Sequence, residues 1–151
     1  MLVEDVMTQV VYVVRKNDAF SSVLLLLDKH NISGVPVVDE KKRVVGIISE
    51  KDLLYRLLPT EEEFYKDVDY YSSHERIEKE CGKILKLKAK DLMSTDVVSI
   101  EPSAHILQAC ALMLVRSIRR LPVVESDKLV GIVSTHDIYR NFLKTLVEKD
   151  K

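Results

Sequence analysis

Two near-identical heptads carry the residues of this chain with the clearest chemical potential. "GIISEKD" at 46–52 and "GIVSTHD" at 131–137 each follow a run of β-branched residues and lead into a charged, helix-like segment. A helix N-terminus presents unpaired N–H groups and the positive end of the helix dipole, and both suit phosphate. Ser49 and Ser134 place a hydroxyl at each of these ends, so the heptads predict anion contacts at two separate strand–helix corners.

The carboxylates and glycines of the heptads extend this chemistry towards a nucleotide. Asp52 and Asp137 follow the serines by three positions, so each carboxylate can accept hydrogen bonds from both hydroxyls of a vicinal diol. Gly46 and Gly131 have no Cβ, which lets a flat group approach the strand closely. A phosphate donor and a diol acceptor separated by a ribose are what a nucleotide site requires.

Helix capping explains the same spacing without a ligand. Ser-x-x-Asp is a capping-box pattern, in which the serine caps the helix and the carboxylate reaches back to the N-cap backbone. Duplication of a capped helix would also produce two copies. The upstream strands "VPVV" at 35–38 and "LPVV" at 121–124 favour a ligand site in addition to capping.

The heptads belong to a longer internal repeat. A shift of 86 residues places 35–38 on 121–124, and a shift of 85 places 44–54 on 129–139. Each copy predicts the order β-α-β-β-α. The helices are amphipathic, because their apolar residues recur at helical spacing, and polar turns join the paired strands. Because neither copy buries both faces of a three-stranded sheet alone, the two should pack together. The predicted strands lie near 10–14, 34–38, 43–48, 97–100, 120–124 and 128–133, and the predicted helices near 18–30, 50–58, 104–117 and 135–148.

The first helix of each copy and the segment between the copies have recognisable start signals. Asn17 and Ser103 are the predicted N-caps of the two first helices. Residues 59–88 open with a Thr60–Glu63 capping-box pattern and predict one or two helices. This segment is either a solvated connector or a lid or dimer contact that uses its tyrosines, Tyr65, Tyr70 and Tyr71.

Composition and charge restrict the class of protein. The 151 residues carry 23 basic and 24 acidic side chains, a net charge of -1 that argues against a nucleic-acid binder. The longest apolar run, at 23–27, is far shorter than the roughly 20 residues that span a bilayer. The four histidines and two cysteines have no metal-ligand spacing, and no catalytic motif is present. The sequence therefore predicts a reduced, cytoplasmic, non-enzymatic protein without a metal.

The extended motifs around the heptads resemble the signature of the cystathionine-β-synthase-type domain, the CBS domain. "VPVVDEKKRVVGIISEKDLL" and "LPVVESDKLVGIVSTHDIY" both match its ligand motif of Gly, two hydrophobic residues, Ser or Thr, two variable residues and Asp. The resemblance implies an α/β (α+β) fold of tandem CBS motifs packed through their sheets with pseudo-two-fold symmetry, a Bateman module. It places motif 1 at 1–58, a helical connector at 59–88 and motif 2 at 89–151.

The resemblance also implies a ligand and the residues that hold it. Such modules bind AMP, ADP, ATP or S-adenosylmethionine in clefts between the paired motifs. Carried over to this chain, Ser49 and Ser134 contact phosphate, and Asp52 and Asp137 contact the ribose hydroxyls. The base is expected against Val10, Val11, Val35, Val97, Val98 and Leu121. The positions of Thr8 and Ser94 help to hold the base or sugar.

The two predicted clefts are chemically unequal. Gly34 precedes "VPVV", whereas Arg120 precedes "LPVV". Arg119 and Arg120 either supply positive charge to a phosphate or belong to a solvated loop. Lys51 and His136 occupy the variable positions of the heptads, either as ligand contacts or as surface residues. Occupation of only one cleft follows naturally from this inequality.

The function implied by the resemblance is regulation. A module of this kind senses an adenine nucleotide, commonly as a homodimer, and a separate protein reads its ligand state. The alternative is a dimeric scaffold whose clefts are vestigial. Some members associate with polynucleotides, but the near-neutral charge of this chain argues against that use.

Overall fold

The chain forms two compact units that do not coincide with the two sequence repeats. The computed structural model describes residues 1–149, so residues 150 and 151 of predicted motif 2 lie outside the described part. Unit 1 contains Met1–Val11, Glu40–Val44 and the described chain from Val97 onwards, and unit 2 contains Tyr12–Asp39 and Val45–Asp96. Each unit therefore combines the body of one repeat with the N-terminal segment of the other.

The described chain mixes short strands with short helices, and its first repeat follows the predicted order β-α-β-β-α. The strands are β1 (Val14–Arg15), β2 (Gly34–Val38), β3 (Val44–Ser49), β4 (Arg120–Glu125) and β5 (Lys128–Ser134). The α-helices are α1 (Phe20–His30), α2 (Glu50–Leu57), α3 (Glu61–Lys66), α4 (Val68–Tyr71), α5 (His74–Ile84), α6 (Ala89–Leu92), α7 (Ile106–Val115), α8 (Thr135–Ile138) and α9 (Lys144–Lys149). A 3-10 turn spans Val3–Asp5, and a π-helical segment, Tyr139–Leu143, joins α8 to α9.

Unit 2 is built around a three-stranded sheet in the order β1-β2-β3. All five residues of β2 are buried, so this strand forms the centre of the core. Helix α1 buries Phe20, Val23 and Leu27, which recur at intervals of three and four residues and so share one helical face. Full burial of each such side chain stabilises the fold by about 1.5–3 kcal/mol.

Unit 1 is built around the β4–β5 hairpin. The strands are antiparallel, with a register that runs from Arg120↔Ser134 to Glu125↔Lys128. The turn residues Ser126 and Asp127 have φ values of 49° and 64°, and two consecutive positive φ angles are typical of a tight hairpin turn. Helix α7 buries Ile106, Ala109 and Met113 on this unit's core, at positions equivalent to the buried face of α1.

The first strand predicted for each repeat is much shorter than expected. In place of 10–14, β1 has two residues, and Val14 pairs with Val37 in a parallel register. In place of 97–100, a single parallel bridge joins Ile100 to Val123. The runs before these bridges lack strand neighbours, and Val10 is 76% exposed. The β-branched residues indicated strands, but a strand also needs a partner for its backbone groups.

The predicted N-caps of α1 and α7 are wrong. Asn17 and Ser103 were the expected caps, but the N-cap residues are Ala19 and His105. The first N–H of each helix donates instead to a carbonyl distant in sequence, that of Leu87 for α1 at 3.0 Å and that of Met1 for α7 at 3.2 Å. Acceptors supplied by packing therefore decided where these helices begin.

The connector between the repeats contains three helices instead of one or two. Its first helix, α3, begins at the Thr60–Glu63 capping box that the sequence predicts. Helix α5 anchors the connector, because Ile84 is buried in the unit 2 core. Arg76 of α5 is only 7% exposed, and its Nη2 donates to the Leu57 carbonyl at the end of α2 at 3.0 Å.

Two strand–helix corners as the candidate functional site

The two heptads form two strand–helix corners, one in each unit. The Ser49 corner is the segment 46–52, where β3 passes into α2 in unit 2. The Ser134 corner is the segment 131–137, where β5 passes into α8 in unit 1. At both corners the glycine is buried, and the serine and aspartate are half-buried. The polar groups of both heptads thus lie within reach of solvent at the end of a strand.

A capping box closes the Ser49 corner. The backbone N–H of Ser49 donates to Asp52 Oδ2 at 2.8 Å, and the Ser49 hydroxyl donates to the same oxygen at 2.9 Å. In return, the Asp52 N–H donates to Ser49 Oγ at 3.3 Å. The capping alternative is therefore present, and any ligand has to share these groups with it.

The Ser134 corner repeats this geometry closely. The Ser134 N–H and hydroxyl donate to Asp137 Oδ2 at 2.8 Å and 2.6 Å, and the Asp137 N–H donates to Ser134 Oγ at 3.3 Å. The backbone amides of the first helical residues also have equivalent acceptors at the two corners. Glu50 N–H donates to the Ser33 carbonyl, and Thr135 N–H donates to the Arg119 carbonyl. The duplication has therefore preserved the backbone of the corner as well as its residues.

Capping leaves a defined set of groups for a ligand. Each aspartate engages only Oδ2, and Oδ1 accepts no hydrogen bond from any group within residues 1–149. The single hydroxyl hydrogen of each serine is given to the aspartate, so a bond to phosphate requires that hydroxyl to rotate. The first-turn amides of Lys51 and His136 have no acceptor among the described residues. Each corner thus offers a carboxylate oxygen to a diol and one backbone amide to an anion.

The glycines of the heptads make room for methionines. A Cβ on Gly46 would lie 2.5 Å from Met93 Sδ, and a Cβ on Gly131 would lie 2.5 Å from Met7 Sδ. Neither glycine has a positive φ, so the requirement is for space and not for backbone freedom. The space that the sequence assigned to a flat ligand group is therefore occupied by a side chain from the other repeat.

Each corner also pairs with a residue of the other repeat. Thr8 and Ile132 exchange backbone hydrogen bonds of 2.9 Å and 3.0 Å, which places Thr8 beside the Ser134 corner. Ser94 and Ile47 exchange bonds of 2.9 Å and 3.0 Å beside the Ser49 corner. The resemblance implies that Thr8 and Ser94 help to hold the base or sugar, and it does not say at which corner. The one available signal was that Met7 and Met93 coincide under the shift of 86 residues.

The residues expected around a base differ widely in exposure. Val35 and Leu121 have no exposed surface, in either the side chain or the backbone. Leu121 pairs with Val133 and therefore lies next to the Ser134 corner. Val11, Val97 and Val98 of unit 1 are half-buried, and Val10 is exposed.

The two corners differ in charge. Arg120 lies opposite Ser134 in the β4–β5 register and is half-buried. Arg119, whose carbonyl accepts from Thr135 N–H, and His136 are exposed. At the Ser49 corner, the positions of the two arginines are occupied by Ser33 and Gly34, and Lys51 is the added cation. The Lys51 ammonium lies 5.3 Å from the ring centroid of Tyr55. The Ser134 corner therefore carries the greater positive charge.

An open cleft of about 360 Å³ lies within unit 1, away from the Ser134 corner. Val124 and Asp127 place it at the turn end of the β4–β5 hairpin, whereas Ser134 is at the open end. One predicted base contact, Val97, lines it together with Arg43, Val44 and Ser99. Its lining mixes three valines with one basic, one acidic and one hydroxyl side chain.

Within residues 1–149, no helix is long and apolar enough to cross a membrane. In the same part of the chain, no three His, Cys, Asp or Glu side chains are grouped so that they could hold a metal ion.

Comparison with known proteins gives consistent matches along the chain. A family model described as the CBS domain matches residues 3–59 and 89–144. An uncharacterized protein of Methanocaldococcus jannaschii is 31% identical over 150 residues, which cover 91% of this chain and 89% of that protein. The chloroplastic CBS domain-containing protein CBSX2 of Arabidopsis thaliana is 30% identical over 151 residues, which cover 94% of this chain but only 63% of the plant protein.

Solved structures match over nearly the whole chain. The crystal structure of CBSX2 in complex with AMP has a TM-score of 0.74 and 28% identity, and the match covers 96% of this chain and 98% of that one. The CBS domain pair of protein MJ0100, in complex with 5-methylthioadenosine and S-adenosyl-L-methionine, has a TM-score of 0.70 and 25% identity. That match covers 94% of this chain and 99% of the other.

Proposed function

The chain belongs to the CBS domain family, and from this premise we propose that it is a non-enzymatic regulatory module for adenosine-containing ligands. The matches on both repeats confirm the predicted tandem CBS fold, with motif 1 proposed at 1–58, the connector at 59–88 and motif 2 at 89–151. The ligand class is AMP, ADP, ATP or S-adenosylmethionine. One observation carries the proposal: both corners hold their aspartate by Oδ2 alone and keep Oδ1 for a diol.

The ligands of the similar structures support this class. CBSX2 was crystallised with AMP, and MJ0100 with 5-methylthioadenosine and S-adenosyl-L-methionine. These molecules share adenosine and differ in what is attached to its 5′ carbon. A site that recognises all of them has to contact the base and the ribose diol, and the diol is the group that a carboxylate in the position of Asp52 or Asp137 accepts.

Binding would change the hydrogen bonds of the corner itself. The ribose hydroxyls donate to Oδ1 of the aspartate, while Oδ2 continues to accept from the serine N–H. A phosphate at the same corner replaces Oδ2 as the acceptor of the hydrogen bond from the serine hydroxyl. It also accepts a hydrogen bond from the backbone N–H of Lys51 or His136. Because Arg119 and Arg120 belong to the Ser134 corner, that corner favours the more highly charged di- and triphosphates.

Regulation requires that the ligand distinguishes two conformations of the module. We propose that a separate protein reads this difference and that the module acts as a homodimer. Exposed apolar residues on the first helix of each repeat support self-association, since Leu25 on α1 is 65% exposed and Leu114 on α7 is 80% exposed. Apolar surface of this kind is typical of interaction sites.

Thermal unfolding in the presence of each nucleotide tests the proposal. A ligand at a hundred times its dissociation constant should stabilise the chain by about 2.7 kcal/mol. Asp52→Asn and Asp137→Asn keep an oxygen for the serine N–H but lose the carboxylate that accepts the diol. Each should weaken binding at its own corner at least tenfold with little change in the unliganded melting temperature.

Glu63→Gln is the matched control for these variants. Thr60 and Glu63 form a capping box of nearly the same geometry, with bonds of 2.9, 2.9 and 3.3 Å, but no strand or glycine precedes it. This variant should keep its capping bonds, because Gln also serves in a capping box, and it should leave nucleotide binding unchanged. If Asp52→Asn and Asp137→Asn together leave every nucleotide's stabilisation intact, the corners are not the binding sites.

A dimeric scaffold with vestigial clefts is the second candidate. The filled space at Gly46 and Gly131 and the closed capping boxes favour it, because they explain the repeated heptads by packing and capping alone. Under this alternative, none of the four ligands changes the melting temperature, while sedimentation still shows a dimer. A shift with any of them excludes it.

A further inference from the structure

Two short helices of the connector carry side chains that contribute nothing to the core of unit 2. No residue of α3 or α4 is buried, although these helices contain one Phe, three Tyr and one Val. Helices of six and four residues without a buried face are only marginally stable in water. The residues 60–71, called here the α3–α4 surface, therefore lack the packing that normally explains aromatic side chains in a helix.

The aromatic groups of this surface are exposed and grouped. Tyr65 is 71% exposed, and Tyr70 is 43% exposed. Phe64 and Tyr65 meet edge to face with ring centroids 5.7 Å apart, and Tyr70 and Tyr71 do so at 5.2 Å. Tyrosine and phenylalanine are enriched in protein–protein interfaces, because they bury a large area with few rotatable bonds.

The same surface is strongly acidic. Residues 60–71 contain five acids (Glu61, Glu62, Glu63, Asp67 and Asp69) and one base, Lys66, so five minus one leaves a net charge of -4. Lys66 itself is paired with Glu62 at 2.7 Å. The whole chain has a net charge of only -1, so this excess is local. A field of this sign attracts a cationic partner and repels polynucleotides and anionic membranes.

A buried arginine fixes the surface to the rest of unit 2. The Arg76 guanidinium lies 4.7 Å from the ring centroid of Tyr71 and donates to the Leu57 carbonyl. The cap of α4 is also formed, since Tyr70 N–H donates to Asp67 Oδ1 at 3.0 Å. The Tyr71 ring and the first turn of α4 are therefore held in place before any partner arrives, which lowers the entropic cost of binding.

We propose that the α3–α4 surface is the docking site for a cationic segment of a separate protein, one that carries apolar side chains on one face. The aromatic rings supply the apolar contact, and the surrounding carboxylates pair with lysines and arginines at the rim. The surface lies outside both stretches matched by the family model. The proposal therefore concerns a feature of this connector and does not depend on nucleotide binding.

A defined peptide tests the proposal. The probe is a fluorescent 14-residue helix-forming peptide of leucine and lysine at helical spacing, and its counterpart has glutamate in place of lysine. Anisotropy with the full chain, without nucleotide, should show binding of the lysine peptide only. Tyr65→Ser combined with Tyr70→Ser should weaken it at least tenfold. Glu61→Gln combined with Asp69→Asn should weaken it and reduce its salt dependence, and neither residue caps a helix.

Matched controls distinguish specific binding at this surface from non-specific binding to exposed aromatic side chains. Tyr139 is 67% exposed in unit 1, so Tyr139→Ser removes a similar ring elsewhere and should leave peptide binding unchanged. Equal affinity of the Tyr65→Ser/Tyr70→Ser variant and the parent chain overturns the proposal, as does an equal loss in Tyr139→Ser. If sedimentation shows that the Tyr65→Ser/Tyr70→Ser variant dissociates a homodimer, the occupant is a second copy and not a separate protein.

Discussion

The Ser49 and Ser134 corners have the same backbone hydrogen bonds and differ in the side chains around them. Their capping distances agree within 0.3 Å, and both glycines face a methionine of the other repeat. The helices that follow diverge, because α2 continues for eight residues, whereas α8 ends after four and passes into a π-helical segment. Insertions of π-helix often mark functional positions in helices.

This contrast shows which properties duplication has kept. The hydrogen bonds of each corner lie within one heptad and one neighbouring segment, so they survive as long as Gly, Ser and Asp are retained. The difference in charge comes from one pair of positions, which hold the uncharged Ser33 and Gly34 at one corner and Arg119 and Arg120 at the other. The two copies thus share one hydrogen-bonded frame and differ in the positive charge beside it.

Substitution of the glycines should give the largest effect and an unequal one. A Cβ on Gly46 would lie 2.8 Å from Cγ and 2.9 Å from Cβ of Met93, atoms that cannot move far. On Gly131, only the Met7 sulfur is closer than 3.0 Å. Overpacking costs about 1–3 kcal/mol, so Gly46→Ala should lose about 3 and Gly131→Ala about 1 kcal/mol of unfolding free energy.

Denaturant unfolding measures this difference, and a double variant supplies the control. Met93→Ala should relieve most of the cost of Gly46→Ala, which gives a large coupling energy between the two positions. Equal losses at both glycines would mean that the two methionine contacts are equivalent after all.

Removal of a positive charge should change ATP and AMP affinity differently at the two corners. Arg119→Gln should reduce ATP affinity about tenfold, equivalent to about 1.4 kcal/mol, with a smaller effect on AMP. Lys51→Gln at the other corner should change both ligands similarly, because its ammonium lies near Tyr55 and no arginine adds to it. Titration calorimetry with each nucleotide provides the measurement, and an identical ATP-to-AMP ratio in the two variants would contradict the assigned preference.

Loss of the serine caps should affect the corners equally. Ser49→Ala and Ser134→Ala each remove one donor to the aspartate and one acceptor for its N–H, and loss of an N-cap costs about 1 kcal/mol. Thermal unfolding of the unliganded variants measures both. A difference above about 1 kcal/mol would show that the short α8 depends on its cap in a way that α2 does not.

Changes to the exposed Thr60–Glu63 capping box should have the smallest effect on stability, and that effect should depend on pH. Hydrogen bonds from the Thr60 backbone and hydroxyl hold the pKa of Glu63 below its ordinary value of 4.5. A lowered pKa in the folded state means that the contribution of this box is present above pH 4.5 and is lost as the pH falls through the lowered value. NMR of the α3 amides should show local fraying in that window, and Glu63→Gln should abolish its pH dependence. Fraying that persists in the glutamine variant would assign the effect to another group.

The sequence by itself determined the repeat, the order of its elements and the three capping boxes. These features are local, since a box joins residues three positions apart and a helix face repeats every three to four residues. The buried faces of α1 and α7 coincide under the shift of 86 residues, as their apolar spacing predicts. The acidic and aromatic residues of the connector can also be identified from its sequence. The number of its helices could not be predicted, because the structure has three and the sequence predicts one or two.

Only the tertiary structure decided which segments meet at each corner. Met7 and Thr8 are over a hundred residues from Gly131 and Ile132, and no local preference connects them. The same applies to the carbonyls of Leu87 and Met1 that replace the expected caps of α1 and α7. Such contacts form because buried backbone groups need partners and cores need filled volume, and both requirements are met by whichever distant segment the fold brings close.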